Sequence, residues 1–446
     1  MGTVCPTCES LRRRIAELEA QLAEALRAGK RQAAPFAKGP PKPQPKKPGR
    51  KPGKDYGRKG HRPPPPPTHI DEVHDAPLPD ACPDCGGPIE ETDIQQQYQV
   101  EIPRQPIYRQ FTVHVGHCRC CAQRVQRRHP LQTSDALGAA ASQLGPDAQA
   151  AVVDLNKQAG LSHGKVTQVL HNLFGIELTR GGSAHTVLRA GRRCEGVYQS
   201  LLDTLPNTPR ANVDETGWRV GGHLAWLHTI VSPDVTVYLI DPTRSGDVAE
   251  RVLGLSYRGL LGHDGWSVYS RFALAAHQQC LAHLLRRCEE LLQTATGGAV
   301  LFPRRVQALL QQALELRDRH QAGQVSEHGM LVACGRLTNR LLDLVWPAKR
   351  QEGNERFAQH LWNHRDELFT FLNYPAIEAT NWLAEHAIRF GVILRKVWGG
   401  SRTWAGARAQ SVLMSVCRTC WQQGRSALDF LSLLLRRTPA VLALPP

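Results

Sequence analysis

The chain of 446 residues lacks any apolar run near the ~20 residues that a membrane-spanning helix needs. Its longest, around Leu428 to Leu435, is interrupted by Asp429 and Ser432. It opens on Cys5, Cys8 and then charge, which is not an export signal, so neither a membrane protein nor a secreted one is expected. Acid is in short supply: 40 Asp+Glu stand against 55 Lys+Arg, a net charge of +15, which favours a polyanionic partner, nucleic acid first. The shortage is sharpest from Lys38 to Arg62, where ten Lys/Arg face Asp55 alone. What is present is enough for real cores: 41% hydrophobic and 21% charged residues exclude a wholly disordered chain. At roughly 100–200 residues per domain, two to four units are expected.

The thirteen cysteines are an odd count, and four pairs read C-x-x-C: Cys5/Cys8, Cys82/Cys85, Cys118/Cys121 and Cys417/Cys420. Without an export signal these are better metal ligands or reduced thiols than disulfides. Residues 79–133 form the strongest candidate. Cys82-Pro-Asp-Cys85-Gly-Gly and Cys118-Arg-Cys-Cys121 have the spacing of a structural zinc site, with Cys120 to spare. The alternating stretches Tyr98–Ile102 and Tyr108–Val115 read as a hairpin between them. Cys417 and Cys420 lie on an apolar helix and read as core thiols.

Before this module, residues 1–29 carry Leu11, Ile15, Leu18, Leu22 and Ala25 at heptad spacing, a short coiled-coil helix suited to self-association. Residues 30–78 are a basic, proline-rich linker without the apolar side chains to fold. Its Gly49-Arg50-Lys51-Pro52-Gly53 core resembles an AT-hook, so Arg50 and Lys51 are candidate DNA contacts. Residues 134–205 read as short helices joined by glycine-containing turns, a helix-turn-helix-like module with Ser162 and Ser183 as caps and Gly175 as a break.

From residue 210 the apolar period changes from 3.6 to 2. Ala211 to Val220, Leu224 to Val231 and Val235 to Ile240 read as three strands, Asp247 to Leu255 as a helix, and Leu260 to Trp266 as a fourth strand. That order suits a ribonuclease H-like core, whose first and fourth strands lie side by side and would bring Asp214 and Asp264 together. A metal site of hard oxygen ligands needs a third carboxylate. Glu385 is the candidate, on a helix that buries Trp382, Leu383, Ala387 and Ile388, with Arg389 one turn on to pair with it or touch a phosphate. Glu215, beside Asp214, faces the other way and reads as structural. Cys280 and His283 share one helix side; a metal shared with His277 is one reading, packing near the acids the favoured one.

These motifs carry a family resemblance. Asn212-Val-Asp-Glu-Thr, Gly262-His-Asp-Gly-Trp-Ser-Val-Tyr269, Cys280-Leu-Ala-His283, Asn381-x3-Glu385-x3-Arg389 and the later Arg395-Lys396-Val-Trp-Gly-Gly-Ser-Arg402 resemble the DDE transposases of bacterial insertion sequences, in the insertion sequence sixty-six group. One departure is His386, where that group more usually has Arg. The resemblance implies an α+β multidomain protein. Its ribonuclease H-like core would span 206–276 and 376–424 around a helical insertion at 277–375, with a C-terminal helix and tail at 425–446. It implies Asp214, Asp264 and Glu385 as catalytic ligands of two Mg²⁺ ions, beside a structural Zn²⁺ on the four cysteines. It also implies a cytoplasmic, nucleoid-associated bacterial protein acting on transposon ends and target DNA, as a homo-oligomer and with accessory proteins. Arg389, Arg395, Lys396 and Arg402 are its candidate DNA contacts in the core.

The expected chemistry follows from charge. Water frees a 3′-OH at the element's end, and that 3′-OH attacks target DNA in line, with two metal ions ~4 Å apart activating the nucleophile and relieving the leaving oxygen. The alternatives are a zinc-dependent DNA-binding regulator, another ribonuclease H-like nuclease, and a structural subunit of a larger complex. Glu385 on a late helix after an insertion favours the transposase.

Overall fold

The computed structural model describes residues 14, 15, 17–19 and 21, then 65–100 without 89 and 92, 105–132 without 128 and 130, and 143–436. The chain divides into two units, residues 1–105 and 106–446. The basic stretch 38–62, with Arg50 and Lys51, lies outside the described residues, as do Leu11, Leu22 and Ala25 of the heptad. Ile15 and Leu18 are helical and exposed. In the first unit Cys82 to Cys85 forms a tight turn, closed by hydrogen bonds from the Gly86 N–H to the Cys82 carbonyl and from the Cys82 N–H to the Gly87 carbonyl.

In the second unit a short antiparallel hairpin, β1 (Val115–His117) with β2 (Arg124–Gln126), brackets the Cys118–Cys121 turn. The hairpin expected from Tyr98 to Val115 is therefore displaced. The described residues 98–100 and 108–114 form no strand, because the turn at the second cysteine pair itself joins the paired segments.

Three helices follow: α1 (Pro146–Lys157), α2 (His163–Phe174) and α3 (Arg180–Arg193). Ser162 caps α2 by accepting from the Lys165 N–H, and Gly175 ends it in the left-handed conformation. The cap of α3 is Thr179, not Ser183. Thr179 accepts from the Gly182 N–H at 3.0 Å, while Ser183 lies inside the helix, buried against His163. With α4 (Glu195–Thr204) these helices share one continuous core with the sheet that follows, through Val153, Leu170, Tyr198, Val213 and Leu261.

That sheet has five strands: β3 (Arg210–Val220), β4 (His223–Val231), β5 (Thr236–Asp241), β6 (Leu260–His263) and β7 (Ala276–Gln279), in the order β5-β4-β3-β6-β7. The first three are antiparallel neighbours; β6 and β7 run parallel to β3. Helix α5 (Asp247–Leu253) connects β5 toward β6. β7 has no counterpart among the strands expected from sequence, since Ala-His-Gln-Gln carries neither β-branched residues nor alternation.

Both sheet edges are covered, which removes unpaired backbone groups from water and from other chains. On one side α12 (Trp404–Gln422) lies against β5, and the hydroxyls of Ser411, Ser415 and Thr419 accept from the N–H groups of Ile240, Tyr238 and Thr236. The four-residue helical spacing matches the two-residue strand spacing. On the other side Thr370 donates to the His277 carbonyl, and the Gln278 side chain accepts from the Phe371 N–H.

Between β7 and the late helix α11 (Trp382–Trp398) stands a helical unit with its own core. It comprises α6 (Leu281–Thr294), α7 (Leu301–Gln321), α8 (Glu327–Val345), α9 (Glu352–Asn363) and α10 (Thr370–Asn373). The apolar face read from Phe357 to Leu372 is interrupted, because α9 ends at Asn363 and a turn at Arg365–Glu367 intervenes. α13 (Ala427–Arg436) packs on α1 and closes the described chain. Among the described residues no helix is long and apolar enough to cross a membrane.

Candidate active site

The register of the parallel pair sets the site. Arg210, Ala211 and Asn212 pair with Leu260, Leu261 and Gly262. β6 then ends at His263, and Gly265 turns the chain away at φ 93°. Continuing that register by two residues would put Asp214 opposite Asp264. β3 runs on past the end of β6, so Asp214 sits on a strand edge that β6 no longer covers. Asp264 is held at the bend by the Trp266 N–H, which donates to its Oδ1 at 2.9 Å.

Glu385 comes from the first turn of α11, and Asn381 docks that helix. Asn381 stands at the N-cap but makes no side-chain cap bond. Its amide instead donates to the Val213 carbonyl at 2.8 Å and accepts from the Asn212 side chain at 2.9 Å. Gly262 makes room for this link, because a Cβ there would stand 2.3 Å from the Asn212 amide nitrogen. The sequence motifs contained both asparagines without disclosing that they bond to each other across 169 residues.

Asp214 feels the charges of the other two acids. Burial first, then the negative charges of Glu215, Asp264 and, least, Glu385 push the Asp214 carboxyl up to about 7, against the Glu215 N–H, which favours its charged form. Among the described residues none of Asp214, Asp264 and Glu385 forms an ion pair with Lys or Arg. An all-oxygen, mutually repelling donor set of this kind fits a hard divalent cation.

Glu215 points to the other face. Its side chain is only 1% exposed. Oε1 accepts from Arg244 Nε at 3.0 Å and Nη2 at 2.7 Å, and Oε2 accepts from the Tyr269 hydroxyl at 2.7 Å. Arg244 is held in turn over the rings of Trp226 and Trp266, 4.9 and 4.3 Å from their centroids. These partners were not legible in the sequence.

Two histidine-containing clusters flank the acids. His263 Nδ1 accepts from the Gly265 N–H, so the neutral ring carries its proton on Nε2, which donates to His277 Nδ1 at 3.1 Å; His277 Nε2 then donates to the Phe272 carbonyl. Burial, then the neighbouring His277 and His364, hold His263 well below the ordinary histidine range. His277 thus belongs with His263 and Glu367, not with Cys280 and His283. The reason is topological: His277 is in β7, while Cys280 and His283 open the next helix and face Glu385. Cys417 and Cys420 are fully buried.

The candidate basic contacts differ in setting. Arg389 is exposed and has no ion pair among the described residues; it does not pair with Glu385. Arg395 is half-buried and donates to the Gly217 carbonyl and, at 3.3 Å, to the Thr216 hydroxyl. Lys396 is exposed. Arg402 lines a pocket of about 220 Å³ with Arg219, Gly222, Trp398 and Gly400, where the Ser401 backbone bonds to Arg219 of β3 and to Gly221 in the turn after it. His386 accepts from Arg418 at 2.8 Å; burial, then Arg418 and Arg389, lower its pKa.

Each cysteine turn, taken by itself, presents N–H groups to its first sulfur. Those of Cys85 and Asp84 lower the pKa of Cys82, and those of Cys121 and Cys120 lower that of Cys118. Such N–H donation favours the thiolate that a metal ligand must be.

A family model described as the Transposase IS66 family matches residues 141–409. The chain is also similar to the uncharacterized protein y4qI of Sinorhizobium fredii, 25% identical over 304 residues that make up 59% of this chain and 54% of that protein. The chain thus spans about half the length of the curated relative it matches.

Proposed function

The chain belongs to the IS66 transposase family, and on that premise we propose that it is a DNA transposase that cleaves insertion-sequence ends and joins the 3′-OH to target DNA. The observation that carries the reading is the charge around Asp214 where β3 outruns β6: Asp264 and Glu385 both raise its carboxyl, none of the three has a Lys or Arg partner among the described residues, and Asn381, at the start of the Glu385 helix, bonds to Asn212 and Val213. The strand order β5-β4-β3-β6-β7, three antiparallel and two parallel, supports a ribonuclease H-like core.

In this reading Asp214, Asp264 and Glu385 hold two Mg²⁺ ions. When bound, these ions supply an activated nucleophile and charge relief at the leaving oxygen. The protein's own part is placement. The Trp266 N–H orients Asp264, the Asn212–Asn381 link sets the distance of Glu385 from β3, and Arg395 secures α11 to the strand. Exposed Arg389, Lys396 and Arg402 are proposed DNA contacts, joined by Arg50 and Lys51 of the linker. The four cysteines Cys82, Cys85, Cys118 and Cys121 are proposed to take one structural Zn²⁺. The heptad helix is proposed to support homo-oligomers on DNA, working with accessory transposition proteins in the bacterial cytoplasm.

The test is a cleavage assay on labelled element ends with Mg²⁺, beside a gel shift on the same DNA. Asp214→Asn, Asp264→Asn and Glu385→Gln should each lower cleavage at least about a thousandfold while sparing binding, since ligands of one centre act as a unit. Normal cleavage by all three sinks the reading. Metal analysis of the purified chain should find one zinc that leaves with a chelator, together with loss of structure around the cysteine turns. A stoichiometry near zero removes the zinc assignment.

A further inference from the structure

The acids of the candidate centre account for one side of Glu385, and its other neighbours remain unused. Cys280 stands at the N-cap position of α6 without a side-chain cap bond, and its Sγ lies 3.7 Å from Glu385 Oε1. His283, one turn on, brings Nδ1 to 3.5 Å from the same oxygen. That Nδ1 is buried and has no hydrogen-bond partner. All three ligand atoms lie within 4.8 Å of one another. The Asn381 N–H donates to Cys280 Sγ at 3.2 Å, which fixes the sulfur beside Glu385.

We propose that Cys280, His283 and Glu385 form a binding site for one thiophilic divalent cation of the zinc class, through Sγ, Nδ1 and Oε1. The distances suit it. Bonds of about 2.3 Å to sulfur and about 2.0–2.1 Å to nitrogen and oxygen, at tetrahedral angles, set ligand edges of about 3.4–3.6 Å. The edges here are 3.7 Å for sulfur to oxygen and 3.5 Å for nitrogen to oxygen. The donor set separates this site from the neighbouring acids: thiolate and imidazole select zinc-like ions, whereas carboxylates alone suit magnesium. Binding replaces the thiol proton, which leaves to solvent, and three protein ligands leave a fourth position open. Glu385 is common to both sites, so an ion held by Cys280 and His283 neutralises an acid that Mg²⁺ requires. Zinc-class ions therefore inhibit Mg²⁺-dependent cleavage, a consequence that rests on the reading of Glu385 as a magnesium ligand.

The experiment uses the full chain loaded with one equivalent of Zn²⁺ and then titrated with Co²⁺. One further equivalent should bind, with a sulfur-to-cobalt charge-transfer band in the near ultraviolet and visible d–d bands. Cys280→Ser should abolish the charge-transfer band and weaken binding at least about tenfold; His283→Ala should weaken it similarly. Serine is itself a good helix N-cap, so an unchanged melting temperature in Cys280→Ser shows that the fold is kept. Cys417→Ser, in a separate buried position, should leave the spectrum as it was. Zn²⁺ inhibition of cleavage should need at least about tenfold more ion in Cys280→Ser. The inference is overturned if no further Co²⁺ binds, or if the band persists undiminished in Cys280→Ser. A normal cobalt spectrum without any Mg²⁺-dependent cleavage sinks the transposase reading and leaves this one. Normal cleavage with no cobalt band does the reverse.

Discussion

Asp214 and Glu215 are adjacent carboxylates on one strand, and the two faces of β3 give them opposite circumstances. Glu215 enters a closed pocket where Arg244 and Tyr269 satisfy both oxygens. Asp214 meets only a backbone N–H and the negative charges around it, and its carboxyl is pushed up to about 7 by burial and those charges. A paired acid holds a fold together. An unpaired acid among other acids costs stability and persists where an external cation completes it. The strand's two-residue period turns one sequence step into this difference of role.

The largest effect that sharpens the contrast is on stability with metal removed. In chelator, Glu215→Gln should lower unfolding free energy by about 1–3 kcal/mol, less than the roughly 3–5 kcal/mol of a fully buried broken pair because half-exposed Arg244 can hydrate. Asp214→Asn should instead melt no lower than the parent, since it relieves like-charge repulsion. Chemical denaturation of both variants measures this. Equal losses at the two positions would erase the distinction between the faces. In cleavage the order should invert, with Glu215→Gln costing about tenfold or less.

Gly262→Ala tests the link between the acids from a position that is not itself acidic. The added Cβ must displace the Asn212 side chain. Cleavage should fall about 10–100-fold, with a stability loss of about 1–3 kcal/mol from overpacking. Cleavage at the parent level would mean that the Asn212–Asn381 bond does not set the place of Glu385. The smallest effect is expected at Arg244→Ala. Removing this half-exposed cation should cost about 1–2 kcal/mol and leave DNA cleavage within about fivefold, because Tyr269 still holds Glu215. A loss of cleavage equal to that of Glu385→Gln would make Arg244 part of the acid face instead.

Much of this architecture was legible in local pattern. The strands around residues 210–240 follow from alternation, and α6 and α7 follow from leucines at helical spacing. The Ser162 cap and the Gly175 break are local chemistry and were found where expected. Where the structure departs from that pattern, tertiary contacts are the cause. Ser183 and Thr179 are equally good cap types, and only the packing of Ser183 against His163 selects the latter. β7 was missed because parallel pairing and coverage by the insertion, not residue preference, make Ala276–Gln279 a strand. Helix α8 carries a helical period too, at Met330, Cys334, Leu337, Leu341 and Val345.

The site divides along the same line. Sequence by itself supplied the candidate acids, their order and their separation, because a carboxylate after a strand and another in a helix's first turn are statements about a few neighbouring residues. Only the tertiary structure decided that His277 leaves Cys280 and His283 for His263, that Arg395 is directed to the β3 backbone, and that Glu385 has a sulfur and an imidazole beside it. Those contacts join residues from 14 to 178 positions apart. Such pairings depend on how the helices cover the sheet, and no local period or propensity encodes them.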